Sequence, residues 1–156
     1  MSTYSQIYVH IIFAVKGRES LILPSWESRL YKYITGIVQN MNQKMIAVNG
    51  ISNHIHILIG MRPTCCLSDL VREVKKSSNT FINENKFSKL KFNWQEGFGA
   101  FSSSHNQLDQ AVTYVMNQKE HHAHKTFREE YLELMEELHI PDDDGYIKKW
   151  LNGCVE

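Results

Sequence analysis

The run Asn53-His54-Ile55-His56-Ile57-Leu58-Ile59-Gly60 constrains this chain more than any other segment. Side chains of a strand point to opposite faces in turn, so Ile55, Ile57 and Ile59 anchor one side in a core while both imidazoles project together from the other. Two imidazoles separated by one bulky apolar residue form a bidentate claw for a metal ion. A rigid strand suits such a site, because ligands on regular elements are held more accurately than ligands on loops. A catalytic ion usually takes a third protein group as well and keeps open positions for substrate. Without a metal, the same pair reads as two partly buried imidazoles hydrogen-bonded within a strand.

The elements around this run define a fold class. Ile7 to Val15 is an apolar, β-branched and aromatic run ending at Lys16-Gly17-Arg18, as expected of a buried first strand. After Pro24, Leu30, Ile34, Ile37, Val38 and Met41 recur at helical spacing, with Ser25 as a candidate cap. Met45 to Val48 and Ile51 to Met61 flank Asn49-Gly50, a dipeptide suited to a two-residue hairpin turn. Leu67, Leu70, Val71, Val74 and Phe81 mark a second amphipathic helix, with Arg72, Lys75 and Lys76 turned away from its apolar stripe. Trp94 to Ser103 reads as a strand preceded by a turn or short hairpin. The order is that of an α+β fold with a ferredoxin-like βαββαβ antiparallel sheet.

Two further helices are expected. Ser104-x-x-Gln107 has capping-box spacing ahead of a helix from about His105 to Glu120, and Thr126-x-x-Glu129 opens another through about Leu138. Tyr131, Leu134, Met135 and Leu138 supply the apolar stripe of the latter, and Pro141 with Asp142-Asp143-Asp144-Gly145 ends it. Tyr146 to Glu156 is a tail expected to dock through Trp150 and Leu151. A length of 156 residues with 42% hydrophobic content suits one domain, 1-156, with a core over about 5-138 and a tail over about 139-156.

Basic and acidic residues balance at 17 each, yet they are segregated. Arg62 to Lys91 carries a local net charge of +4, whereas Thr126 to Asp144 carries −7. One region is thus suited to phosphates and another repels them, unless both are simply solvated helix faces. Cys65, Cys66 and Cys154 form no C-x-x-C pair, and no apolar run approaches membrane-spanning length. These features lead us to expect a reduced, soluble, cytoplasmic chain with no membrane partner.

Tyr114 and Gln118 form the second informative pair, since residues four apart share a helix face. A phenol and a carboxamide so placed can address one metal-bound phosphate together. Tyrosine, with an ordinary pKa near about 10, needs help to act as a nucleophile, and a divalent ion beside the attacked phosphorus supplies it. The alternative is a ring packed on the sheet beside a solvated amide.

Together these segments resemble the single-tyrosine HUH transposases, the insertion sequence 200/605 type and the relatives associated with repetitive extragenic palindromes. The resemblance runs through Tyr8-Val9-His10-Ile11-Ile12-Phe13, His54-Ile55-His56, Trp94-Gln95-Glu96-Gly97-Phe98-Gly99-Ala100-Phe101-Ser102, Tyr114 to His122, and Thr126-Phe127-Arg128-Glu129-Glu130-Tyr131. Asn53 stands where members of that family often carry an aspartate. The resemblance implies that Tyr114 attacks single-stranded DNA, forming a 5′-phosphotyrosine link and freeing a 3′-hydroxyl, and that a later hydroxyl attack reseals the strand. It implies that His54, His56 and Gln118 hold Mg2+ or Mn2+, that hairpin DNA ends are the partner, and that a homodimer completes each histidine site with the other subunit's tyrosine helix.

For DNA contacts the candidates are Arg72, Lys75 and Lys76, followed by Lys16 and Arg18. Phe98 and Phe101 are assigned to the core rather than to base stacking. His121, His122 and His124 read as helix-end or structural histidines, with His121 or His122 near the active site as the alternative. Two other functions fit the pattern. One is a non-catalytic single-stranded nucleic-acid-binding domain using a ferredoxin-like sheet, which leaves the histidine claw unexplained. The other is a rolling-circle-type nicking enzyme, which usually brings domains for which this chain has no room.

Overall fold

In a computed structural model, which describes residues 3–17, 21–137 and 145–152, the histidine run forms a central strand. Strand β3 (His54–Gly60) lies between β1 (Tyr8–Ala14) and β2 (Lys44–Ile51), and β4 (Gly99–Ser103) pairs with the far side of β1. All three pairings are antiparallel and the spatial order is β2-β3-β1-β4, the ferredoxin-like arrangement. Ala14 stands opposite His54 and Ile12 opposite His56.

The alternation in the sequence becomes two chemically different sheet faces. On one, Ile55, Ile57 and Ile59 join Val9, Ile11 and Phe13 under helices α1 (Pro24–Asn40) and α2 (Leu67–Glu84), which contribute Leu30, Ile34, Val38, Leu70, Val71 and Val74. On the other face lie His10, Ile12, Ala14, His54, His56 and Leu58. Helices α3 (Leu108–Met116), α4 (Gln118–His121), α5 (Phe127–Glu137) and α6 (Tyr146–Asn152) form the second half of the molecule. Val115 packs on Leu58, while Phe127, Tyr131, Met135 and Leu151 pack on Ile12 and Ala14.

Three local expectations are corrected. The hairpin turn is Ser52-Asn53, with Ile51 opposite His54, so Asn49 and Gly50 lie inside β2. Gly50 is needed there for close backbone approach, since a Cβ would stand 2.4 Å from the His54 carbonyl oxygen. The cap of α1 is Leu23 rather than Ser25, because Pro24, which has no N–H to satisfy, takes the first helical position. The helix expected over 105–120 is a short 3₁₀ turn (His105–Gln107), then α3, a break at Asn117, and α4.

The other features follow the sequence reading. Thr126 Oγ1 accepts from the Glu129 N–H at 3.1 Å, as a capping box requires. Phe98 and Phe101 are partly buried against the cores. The tail docks as expected: Leu151 is buried and the Trp150 indole N–H donates to the Glu96 carbonyl at 2.5 Å. Leu138, Pro141 and Asp142-Asp143-Asp144 lie outside the described residues. No described helix is long and apolar enough to cross a membrane.

Candidate metal and tyrosine site

His54 and His56 are both fully buried, and each imidazole is braced from behind. His54 Nδ1 lies 2.7 Å from Asn53 Oδ1, and the Phe127 ring stacks on the imidazole at 4.3 Å between centroids. His56 Nδ1 lies 2.8 Å from Nε2 of the buried His10. The rings therefore turn their Nε2 atoms toward the helices. There, Glu130 Oε1 of α5 sits 3.1 Å from His56 Nε2, 3.3 Å from His122 Nε2 and 3.5 Å from His54 Nε2. Gln118, also fully buried, places its Oε1 3.4 Å from His54 Nε2 and donates through Nε2 to the Tyr114 carbonyl at 3.2 Å. Gln118, the sequence's candidate for a third ligand, thus lies beside His54.

Burial favours the neutral, metal-competent form of the imidazoles. It lowers the pKa of His54, and with the neighbouring rings it brings His10 down to about 3 and His56 down to about 4. For Glu130, burial alone would push the carboxyl up, but the imidazoles of His122, His54 and His56 beside it more than offset that and hold it well below the usual carboxylate range. A buried anion thus faces a set of neutral nitrogen donors. Ligand atoms of His54, His122 and Glu130 all lie within 4.8 Å of one another, a spacing able to hold a metal ion. Glu130 Oε2 and His122 Nε2 are buried without a hydrogen-bond partner, so the donor set fits a cation that would satisfy both.

Tyr114 is brought to the same place by the same chain. Its ring centroid lies 5.8 Å from those of His10 and His56 and 5.0 Å from that of His121. It borders a cleft of about 160 Å³ together with His121, Lys125, Glu130, Glu133 and Leu134. The helix carrying it is tied to the β2–β3 ribbon: Asn49 Nδ2 donates to the Met116 carbonyl at 3.0 Å, and Lys119 Nζ donates to Asn49 Oδ1 at 3.1 Å and pairs with Glu27. The break at Asn117 leaves Tyr114 at the end of α3 and Gln118 at the start of α4, both facing the histidines.

The basic candidates lie elsewhere. Helix α2 covers the isoleucine face, so Arg72, Lys75 and Lys76 are on the opposite side of the sheet from the histidines. Arg72 pairs with Asp69 at 2.6 Å, and Lys75 donates to the carbonyls of Gln95 and Gly97. Lys16 is exposed two residues beyond Ala14, the register partner of His54, and is the member of this group closest in topology to the site. Arg18 lies outside the described residues.

Sequence reasoning missed Glu130, passed over His10 and left His122 undecided. A signal for Glu130 existed: it falls three residues after Phe127 and one before Tyr131, on the buried stripe of α5, where an acid without a partner is costly. His10 occupies the position in β1 that faces the same side as Ile12 and Ala14. His122 was visible only as one of three clustered histidines.

Comparison with known proteins agrees with this geometry. The family model described as Transposase IS200 like matches residues 3–118. A solved structure from Deinococcus radiodurans, described as a transposase, aligns with a TM-score of 0.61 at 19% identity, covering 76% of this chain and 95% of that one. A REP-associated tyrosine transposase bound to a REP hairpin aligns with a TM-score of 0.59 at 19% identity, covering 78% of this chain and 74% of that one. No curated protein matches. On the strength of the match over residues 3–118, the chain belongs to the IS200-like transposase family.

Proposed function

We propose that this transposase cleaves and rejoins single-stranded DNA through a covalent link to Tyr114. The observation that carries the reading is the meeting, within one chain, of the Tyr114 ring and the buried imidazole of His56 at 5.8 Å between centroids. The phenolic oxygen attacks a backbone phosphorus, the bond to the 3′ oxygen breaks, and that oxygen leaves as a hydroxyl after taking up a proton. A 5′-phosphotyrosine remains. Attack by a second 3′-hydroxyl reverses the exchange, so the energy of the broken bond is retained and no nucleotide is consumed.

His54, His56 and Gln118 would hold the divalent cation, Mg2+ or Mn2+, which when bound polarises the phosphoryl oxygens and stabilises the charge that develops on them. Gln118 has a second task in this reading, since its amide nitrogen holds the Tyr114 carbonyl and so fixes the last turn of α3. His10 keeps the His56 ring oriented. Lys125, which borders the cleft beside Tyr114, is placed to meet a phosphate of the entering strand. Hairpin DNA is the expected partner by analogy with the hairpin-bound relative, and Lys16 and Arg18 remain candidates for contacts to the DNA backbone. A dimer would supply two tyrosines, enough to exchange a pair of strands.

The test is incubation of the chain with end-labelled single-stranded DNA carrying a hairpin, in the presence of Mn2+. The expected product is an adduct that survives denaturation and is absent for Tyr114→Phe. Reversible binding without any adduct in the wild-type chain would leave a nucleic-acid-binding module instead.

A further inference from the structure

Around Glu130, two buried polar atoms, its own Oε2 and His122 Nε2, have no hydrogen-bond partner. His122 Nδ1 lies 2.7 Å from the Lys125 carbonyl oxygen. A carbonyl only accepts, so Nδ1 carries the hydrogen, the tautomer in which Nε2 can offer its lone pair to an ion. That lone pair is 3.3 Å from Glu130 Oε1 and makes no hydrogen bond. His54 repeats the pattern, with Nδ1 against Asn53 Oδ1 and Nε2 toward both Gln118 Oε1 and Glu130 Oε1. Imidazole nitrogens of His54, His56 and His122, the Gln118 amide oxygen and the Glu130 carboxylate thus converge on one small space. In metal centres this is the ordinary arrangement: a ligating histidine donates its other N–H to a carbonyl or carboxamide, which fixes the tautomer and aims the free nitrogen at the ion.

Glu130 and His122 are not part of the matched stretch, which ends at residue 118. They are delivered by α5 and the turn before it. Phe127 is buried against the His54 ring, and the Tyr131 hydroxyl packs so closely on Gly99 that a Cβ there would stand 2.5 Å from it. Glu130 lies between these two anchors, and α5 is therefore docked with its acid already over the histidine face.

We propose that Glu130 and His122 are ligands of the same divalent ion as His54 and His56, so that both walls of the site contribute to the centre, and that this imidazole-rich set selects a first-row transition ion such as Mn2+ over Mg2+. The selection follows from ligand chemistry: Mg2+ prefers oxygen donors and keeps its waters, whereas imidazole suits the transition ions. The proposal rests on the metal-dependent reading given above and extends it to residues outside the matched region.

The experiment is calorimetric titration of the metal-free full-length chain with MnCl2 and with MgCl2, alongside Glu130→Gln, Glu130→Asp, His122→Gln and Tyr114→Phe, each checked for folding by circular dichroism. The wild type is expected to bind Mn2+ more tightly than Mg2+. Glu130→Gln and His122→Gln should each weaken Mn2+ binding by about tenfold or more, and Glu130→Asp should recover part of the loss. Tyr114→Phe should bind Mn2+ as the wild type does while forming no DNA adduct, which separates a failure of the metal centre from a failure of the tyrosine chemistry. A readout on the unaltered protein guards against misfolded variants: Zn2+, as a diamagnetic probe, should shift the ring 15N resonance of Nε2 in His122 along with those of His54 and His56, leaving His105 and His124 unchanged. Wild-type Mn2+ affinity in Glu130→Gln, an unshifted His122, or Mg2+ bound as tightly as Mn2+ would each overturn the proposal.

Discussion

The two faces of β3 are built from alternate residues of one seven-residue strand, and they could hardly differ more. On the isoleucine face, apolar side chains close against α1 and α2 and each contact is satisfied by proximity alone. On the histidine face, His10, His54, His56, Gln118 and Glu130 are equally buried, and each must find a partner of matching polarity. The first face tolerates substitution by shape. The second is specified atom by atom, through hydrogen bonds and ion pairs among these groups. The sheet is thus a partition between an apolar core and the polar cluster to which the proposed chemistry is assigned.

That contrast can be broken by changing one face and reading the other. The largest effect is expected from the histidine face: His54→Ala should cut DNA cleavage by at least about a hundredfold while leaving the circular dichroism spectrum unchanged. If a folded His54→Ala chain cleaved at the wild-type rate, the division of labour would be wrong. The converse substitution, Leu30→Ala, removes a fully buried side chain from the other face. It should destabilise the fold by about 2–5 kcal/mol in urea denaturation, with the metal affinity of the folded fraction preserved.

Acid should distinguish the faces next. His10 and His56 are held at about 3 and about 4 in the folded chain, against 6.5 when unfolded. Their depressed values mean that the unfolded state binds more protons in this window, so the stability linked to their neutral forms is fully present above pH 6.5 and is lost as the pH falls through 4 toward 3. Glu130, also depressed, loses its contribution in the same direction. A metal-free melting curve should therefore shift down on acidification, and a His56→Asn variant should show a shallower dependence. The smallest effect belongs to the joint between ribbon and helix. Asn49→Ala removes the donor to the Met116 carbonyl, and a cost of about 1 kcal/mol in thermal unfolding is expected, with cleavage lowered more than metal binding.

How much of this was legible in the sequence depends on the kind of signal each feature leaves. Strand alternation is a strong one, and it located both faces of β3 and the ferredoxin-like order. Tyr114 and Gln118 were paired by helical spacing, and the pairing survives the break at Asn117 because the local turn still carries both toward the sheet. Asn49-Gly50 misled because the same dipeptide serves two physical needs. Its turn propensity was read, whereas the chain uses Gly50 for close contact and Asn49 for a long-range hydrogen bond. For the basic residues of α2 the sequence carried less: periodicity says which side of a helix is solvated, not which face of the sheet that helix covers, and α2 covers the isoleucine face. Glu130 escaped notice because it sits within a run of acids, most of which are solvated, and only the tertiary fold distinguishes the one that points inward.

The close backbone approach at Gly50 has a consequence beyond the hairpin. With a methyl group there, the two ribbon strands would have to separate where His54 begins. The displaced strand would carry one imidazole with it, while Asn49, the next residue along, would drag the tether of the tyrosine helix. Tyr114 and the imidazole would move out of alignment together. A missing carbon, remote from any reacting atom, thus works as the spacer that sets the gauge of the whole machine.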